Sequence, residues 1–273
     1  MKQKVSRIGL IGCGAIGSSI AKAVQGGAID GALLVALFDQ DIDSAKSLSK
    51  KLNNKIVATD SFEHFISTNG MSLVVEAASQ KAVAEYSRKV VSSGKDLLIM
   101  STGSLLETSL FKDLSNLSRE TGASIFAPSG AIGGIDAIKA SRNGLSSVQL
   151  TTRKPPQSLS DTSATNMSEI EEPTLVFEGN AIEAVKRFPF NINVAATISL
   201  AGIGPENTHV KIIADPNAKG NIHEIEAVGE SGTMKFVMEN VPHPENHMTS
   251  YLAVLSAIET LRRACTSSIN LGS

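Results

Sequence analysis

The chain has 273 residues, 42% of them hydrophobic, which is enough for a sizeable core in one large or two modest domains, and two are expected. A formal net charge of −2 without any basic run excludes the electrostatic footprint of a nucleic-acid or anionic-membrane binder, and 4% aromatic residues with no Trp leave no base-stacking surface. Two cysteines, Cys13 and Cys265, make no disulfide framework, and a reducing compartment suits them.

The N-terminus runs into a strand that the fold needs, which leaves no room for a signal peptide, and no apolar run reaches the roughly 18 residues of a membrane span. A soluble, cytoplasmic protein with a small-molecule substrate is expected.

The first predicted element is the apolar strand Val5–Ile11, followed at once by Gly12-Cys13-Gly14-Ala15-Ile16-Gly17 and the helical stretch Ser18–Val24. This G-x-G-x-x-G turn reads as a dinucleotide site. Gly12 allows the tight turn, Gly14 lets backbone N–H groups approach a pyrophosphate, and Gly17 lets the helix pack close to the strand. The helix N-terminus adds unpaired N–H groups and the positive end of a dipole. A second strand, Ala32–Phe38, ends in Asp39, close to the roughly 20-residue offset at which a carboxylate accepts hydrogen bonds from the adenosine ribose. A strand-end or helix-cap role is the plainer alternative for Asp39. A carboxylate there repels the 2′-phosphate of NADP, and Gln40 and Asp41 offer no guanidinium to receive it, so NAD is favoured and NADP stays open.

Helix and strand then alternate: helix Asp43–Leu52, strand Ile56–Ala58, strand Met71–Ala78, helix Ala82–Ser92 and strand Asp96–Met100. Near-continuous apolar strands separated by helices predict a parallel sheet covered on both faces. The small residues Ala77-Ala78-Ser79 and Ser101-Thr102-Gly103 at the strand tails fit close approach to a cofactor, with Ala78 the residue assigned to it; ordinary tight turns read the same way. Strand Ala123–Ala127 leads into the glycine-dense Pro128-Ser129-Gly130-Ala131-Ile132-Gly133-Gly134, a site or a domain junction.

Beyond Ile135 the predicted elements are helix Asp136–Arg142, strand Ser147–Thr152, a Ser/Thr/Pro-rich polar excursion over Lys154–Pro173, strand Leu175–Glu178, helix Asn180–Lys186 and an Ala-rich helix ending at Leu200. Strand Val210–Asp215 follows, then an antiparallel pair, His223–Val228 with Met234–Glu239, and a long helix Thr249–Arg263. The expected fold is α/β: a Rossmann-type doubly wound parallel sheet over 1–135, a smaller α+β mixed-sheet substrate domain over 136–245, and a C-terminal helix, 246–273, returning to the first domain.

A nicotinamide enzyme needs a proton acceptor beside the reacting carbon, and histidine is the usual choice. Of the five histidines, His64 and His209 read as structural or solvated, and His243 and His247 as rim or capping residues around Pro244. His223 stands out because it opens a second-domain strand directly after the polar turn Asp215–Asn221. No pair has metal-ligand spacing, so no metal is expected, and Ser129 lacks a Gly-x-Ser-x-Gly context, so hydrolase chemistry has no support.

Read together, Ile11–Gly17, Pro128–Ala137, Thr152–Pro156, Phe188-Pro189-x-Asn191-x-Asn193-Val194-Ala195-Ala196, Ile213–Pro216 and Asn221-x-His223 resemble the L-aspartate dehydrogenase family over nearly the whole chain. The resemblance implies NAD(P)-dependent oxidative deamination of L-aspartate through iminoaspartate to oxaloacetate and ammonia, with iminoaspartate feeding quinolinate and NAD synthesis. It implies His223 as the active-site histidine, with cofactor contacts from the glycine turn, Ala131 and Asn193.

For the substrate carboxylates Arg153, Lys154, Lys219 and Ser129 are candidates, each equally readable as a surface residue. No spacing selects a clamp, and Ser129 is the one assigned to substrate. The alternatives are another two-domain nicotinamide reductase, such as a dihydrodipicolinate reductase, whose paired histidines followed by lysine are absent here, and a non-catalytic NAD-binding sensor. A homodimer is expected because a second-domain sheet has one face to cover.

Overall fold

The computed structural model describes residues 5–52, 56–159, 170–188 and 193–266. Of these, the residues up to Pro128 and from Val254 onward form one compact unit, and Ser129 to Ala253 form a second.

The first unit runs β1 (Ser6–Ile11), α1 (Ala15–Gln25), β2 (Ala32–Phe38), α2 (Ile42–Lys51), β3 (Val57–Thr59), α3 (Phe62–Ile66), β4 (Leu73–Glu76), α4 (Gln80–Ser92), β5 (Asp96–Ile99), α5 (Thr108–Thr121) and β6 (Ile125–Phe126). Its six strands pair in the order β3-β2-β1-β4-β5-β6, every pair parallel. Burial on both faces explains the unbroken apolar runs: Leu34 to Phe38 and Leu73 to Glu76 are buried throughout. The strand order reverses between β1 and β4, and in such sheets ligands bind beyond the strand ends at that switch point. The expected doubly wound sheet is therefore present.

Short polar side chains cap the helix starts that flank the cleft. Asp41 accepts the Asp43 N–H before α2, and Ser79 accepts the Ala82 N–H before α4. The C-terminal helix Tyr251–Cys265 lays Val254, Ala257, Leu261 and Cys265 into the core of this unit beside Ile8, Leu10, Ile20 and Val24. Sequence reading leaves α5 unassigned, although Leu110 and Leu114 form a buried stripe; its Ser, Thr and Asn residues, which favour turns and caps, obscure the helix. The strand expected over Ala123–Ala127 shortens to two residues because it is an edge that pairs with β5 alone.

The second unit comprises α6 (Ile135–Ser141), β7 (Leu145–Lys154), β8 (Thr174–Asn180), α7 (Ala181–Arg187), α8 (Asn193–Ala201), β9 (Thr208–Ala214), β10 (Ile222–Gly229), β11 (Gly232–Glu239), β12 (Pro242–His243) and β13 (Asn246–Ser250). The five-stranded sheet, β11-β10-β7-β9-β8, is mixed: β7 and β9 run parallel, the other pairs antiparallel. One face buries Val148, Leu150, Val210, Ile212, Ile225 and Ala227, with α8 packed on β7 and β9. The other carries ion pairs such as Arg153–Glu224 at 3.1 Å and Lys235–Glu226 at 3.3 Å. That alternation is the period-2 pattern of a half-buried sheet.

Two differences from the sequence reading bear on the site. Lys154, read as the start of the polar excursion, is the last residue of β7 and is buried; only after it does Pro155 end the strand. The connection around Pro242 and Pro244 is a hairpin, β12 with β13, rather than an irregular link. Residues 160–169 of the excursion, and Pro189 to Ile192 of the Phe188–Ala196 block, lie outside the described residues.

Candidate active site

The glycine turn closes between β1 and α1. Gly12 sits at φ +94°, and a Cβ there would come within 2.6 Å of the Ala77 carbonyl oxygen, so glycine is required on both counts. A Cβ on Gly17 would collide with the Gly12 carbonyl oxygen, which fixes how tightly α1 returns to the strand. Gly14 differs, being exposed with no atom within 4 Å of where its Cβ would stand. Space for a ligand therefore opens at the N-cap of α1, whose first turn carries no acidic side chain. Ala15 and Ile16 form that first turn, so their backbone N–H groups belong to the positive helix end.

Asp39 is held in place by two backbone donors: Cys13 N–H at 2.7 Å to Oδ2 and Asp41 N–H at 3.0 Å to Oδ1. Asp39 thus ties the glycine turn to the end of β2, as the plainer strand-end reading has it, and it also lines a cleft. That cleft, about 100 Å³, is also bordered by Gly12, Ala78, Gln40, Lys81 and Tyr86. Lys81, three residues after Ala78, was passed over in the sequence because a lysine in the first turn of a helix reads as an ordinary solvated residue. Cys13, in the middle of the turn, has its thiol pushed up to about 12 by burial and by the nearby Asp39 charge, so it stays a thiol rather than a nucleophile.

Glu76 is a second residue that sequence reasoning passed over. It is buried at the end of β4, where its carboxylate accepts Ala78 N–H at 2.8 Å, Ser101 N–H at 3.0 Å and the Ser101 hydroxyl at 2.9 Å. Burial raises its pKa and these hydrogen bonds work against that rise. One side chain thus shapes both small-residue turns, after β4 and after β5. A glutamate at the end of an apolar strand was the signal available for it.

In the second unit, the loop from Ser129 to Gly134 is pinned to the end of β11. Asn240 donates to the Ala131 carbonyl at 3.1 Å, Gly133 N–H points at the Met238 sulfur at 3.4 Å, and Gly134, at φ +77°, leaves no room for a Cβ against the Phe236 ring. Met238 is the cross-strand partner of His223, so the loop runs beside that histidine's end of the sheet. Ala131 is buried and Ser129 half-buried. Asn193 is the first residue of α8 and half-buried, and its carbonyl accepts the Thr197 hydroxyl at 3.1 Å.

His223 is 2% exposed, and its Nδ1 lies 3.0 Å from Thr152 Oγ1 on the facing position of β7. Desolvation first, and the positive charge of Lys154 second, lower its pKa to about 3, so the imidazole is neutral across the working range. Two residues beyond Thr152 on the same face comes Lys154, 3% exposed, with its ammonium lowered by burial to about 8.

The other histidines differ from one another. His64 is exposed, and His209 is an exposed partner of Glu178 at 2.9 Å. His243 is buried instead of lying at a rim, because β12 folds it under Tyr251 and its Nδ1 accepts the Glu245 N–H at 3.1 Å. Among the described residues no three His, Cys, Asp or Glu side chains gather where they would hold a metal ion, and no helix is long and apolar enough to cross a membrane.

Comparison with known proteins bears on both units. Residues 136–264 match the model of the aspartate dehydrogenase C-terminal domain, and residues 12–128 the homoserine dehydrogenase NAD-binding domain. The chain is 45% identical to the L-aspartate dehydrogenase of Nitrosopumilus maritimus over 98% of its own length and 100% of that protein's. It is 44% identical to the one from Methanocaldococcus jannaschii, covering 94% of this chain and 96% of that one. Among solved structures, aspartate dehydrogenase from Thermotoga maritima superposes with a TM-score of 0.77 at 31% identity, covering 97% of this chain and 99% of that one.

Proposed function

The chain belongs to the L-aspartate dehydrogenase family, and from that premise we propose that it oxidises L-aspartate with NAD(P), the first unit holding the cofactor and His223 in the second handling protons. The product is iminoaspartate, hydrolysed to oxaloacetate and ammonia, and the reaction is reversible. The observation that carries the site assignment is His223 itself: a buried, neutral imidazole hydrogen-bonded to Thr152.

The first unit suits a dinucleotide. Gly12, Gly14, Ala15, Ile16 and Gly17 offer backbone donors at a helix N-terminus with open space before them, Asp39 lines the adjoining cleft as the ribose acceptor, and Ala78 borders it. Ala131 and Asn193 are assigned to the nicotinamide end and Ser129 to the substrate. A bound nicotinamide would supply the hydride acceptor for the substrate Cα hydrogen, the amine becoming an iminium.

The remaining chemistry falls to the protein. With Nδ1–H donated to Thr152, Nε2 of His223 carries the lone pair that accepts a proton from water as that water attacks the imine carbon. The same nitrogen returns the proton to the departing amine, then takes the hydroxyl proton as the carbonyl forms and releases it to solvent. In the amination direction the steps reverse. Supply of iminoaspartate to quinolinate and NAD synthesis, a cytoplasmic location and a homodimer complete the proposal.

Turnover is tested by following NADH formation with L-aspartate, and its consumption with oxaloacetate plus ammonia, for the wild type and His223→Ala. Loss of about 10²- to 10⁴-fold in kcat with NAD affinity retained is expected of the variant. Absence of aspartate-dependent turnover in wild-type protein that binds NAD would overturn the activity. Near-wild-type turnover by the variant would overturn only the role of His223.

A further inference from the structure

With the pyrophosphate at the N-terminus of α1, after β1, and Asp39 drawing the adenosine ribose towards β2, the direction of a dinucleotide on the first sheet is set. In the order β3-β2-β1-β4-β5-β6 the other half of the molecule, which carries the nicotinamide, runs from β1 towards the ends of β4 and β5. Glu76 stands on that path. It is the last residue of β4, paired with Ile11 of β1 on one side and Ile99 of β5 on the other, and it is buried.

The polar contacts of Glu76 are all with donors. Oε1 accepts Ala78 N–H and the Ser101 hydroxyl, Oε2 accepts Ser101 N–H, and Ser79 N–H also favours the charged form. The ionised carboxylate accepts all of them at once. Among the described residues no Lys, Arg or His forms an ion pair with it. The pocket packed beneath it is lined by apolar side chains such as Val83, Val90 and Leu97, with Tyr86 the one other titratable group. A buried anion held by dipoles alone stabilises a positive charge brought near it, because little water is there to screen the two.

We propose that Glu76 is a positioning residue that also sets the redox preference of the cofactor site: its hydrogen bonds hold the tails of β4 and β5, and its charge favours the oxidised nicotinamide, a cation, over the reduced, neutral one. NAD and NADH share the adenosine, the pyrophosphate and both riboses and differ in the charge of one ring. Hydrogen bonds to the tails therefore act on both nucleotides, and the charge of Glu76 acts on one. In the deaminating direction a bias of this sign favours exchange of product NADH for NAD. The inference rests on the use of a nicotinamide nucleotide by the first unit and not on which amino acid is oxidised.

The test titrates the full-length protein with NAD and with NADH in the absence of substrate, with binding followed by calorimetry. Glu76→Gln, which keeps the shape and removes the charge, is expected to lower the ratio of NAD affinity to NADH affinity by about 3- to 10-fold relative to the wild type. Glu76→Asp keeps the charge but draws it back from the tails, so it is expected to weaken both nucleotides by about tenfold and to hold the wild-type ratio within about twofold. A third measurement needs the wild type alone. Benzamide adenine dinucleotide carries an uncharged benzene ring in place of the pyridinium, and NAD is expected to bind about 3- to 10-fold more tightly than this analogue.

The proposal is overturned if folded Glu76→Gln keeps the wild-type ratio, since equal weakening of both nucleotides is all that a structural role predicts, or if Glu76→Asp loses the ratio as Glu76→Gln does. Where neither variant folds, the wild type decides: affinity for the benzamide analogue equal to or above that for NAD, or no binding of NAD and NADH, overturns it too. A shifted ratio in protein without aspartate turnover would sink the activity and spare the role of Glu76; turnover with an unshifted ratio would do the reverse.

Discussion

A methyl group on Gly17 would collide with a backbone carbonyl, that of Gly12, and backbone cannot move aside as a side-chain tip can. Gly17→Ala is therefore expected to push α1 off β1 and abolish measurable NAD binding by fluorescence titration; wild-type affinity in that variant would show that the helix is not held at this point. Asp39 does two things at once, since it fixes the turn through Cys13 N–H and lines the cleft. Asp39→Ala is expected to weaken NAD by about tenfold, the weight of a charged hydrogen bond, and to narrow the gap between NAD and NADP. An unchanged NAD/NADP ratio would mean that the ribose is held elsewhere. Lys81, on the same cleft, supplies a cation for a 2′-phosphate, so Lys81→Ala is expected to lower NADP affinity more than NAD affinity.

At the scale of elements, the C-terminal helix is the clearest case of a segment whose place depends on its buried stripe. Leu261 is fully buried in the core of the first unit, and Arg262 reaches the Ala28 carbonyl at 3.1 Å. Leu261→Ala should cost about 2–5 kcal/mol through lost transfer energy and the cavity left behind, read as a lower denaturation midpoint. A loss under about 1 kcal/mol would mean that the helix is not anchored by that stripe. Helices α2 and α4 were legible to within a residue or two, and α1 to within three. α5 was not, because its many Ser, Thr and Asn residues mask its apolar stripe, and β6 is two residues long where five were expected.

At the scale of the whole molecule, pH dependence follows from the two buried bases of the second unit. His223 and Lys154 both have folded-state pKa values below their ordinary ones, about 3 against 6.5 and about 8 against 10.5. Between each pair of values the unfolded chain binds the proton and the folded chain does not, so stability rises with pH across both windows. His223 thus contributes an acid loss as pH falls from about 6.5 towards 3. The buried ammonium of Lys154 is a cost present in full below about pH 8 and gone above about 10.5. Lys154→Met is accordingly expected to lose the rise of stability with pH that the wild type shows between about 8 and 10.5. Thermal unfolding across that range measures it, and an unchanged pH slope in the variant would contradict the shift assigned to the ammonium.

The sequence by itself determined the α/β architecture, the parallel order of the first sheet's elements, the β10–β11 pairing and the NAD(P)-linked family, because hydrophobic period, glycine spacing and turn chemistry are local properties written along the chain. The histidine that opens β10 was also visible, as a polar residue where a strand begins. What only the tertiary structure decided is which polar groups are buried and what they face. Lys154 read as the edge of a polar excursion, His243 as a rim residue and Glu76 as part of an apolar strand. Their surroundings come from strands and loops distant in sequence: Thr152 beside His223, Ser101 against Glu76, and the β12 hairpin over His243. Burial sets protonation and charge, and burial is a sum over neighbours that the chain assembles only when it folds.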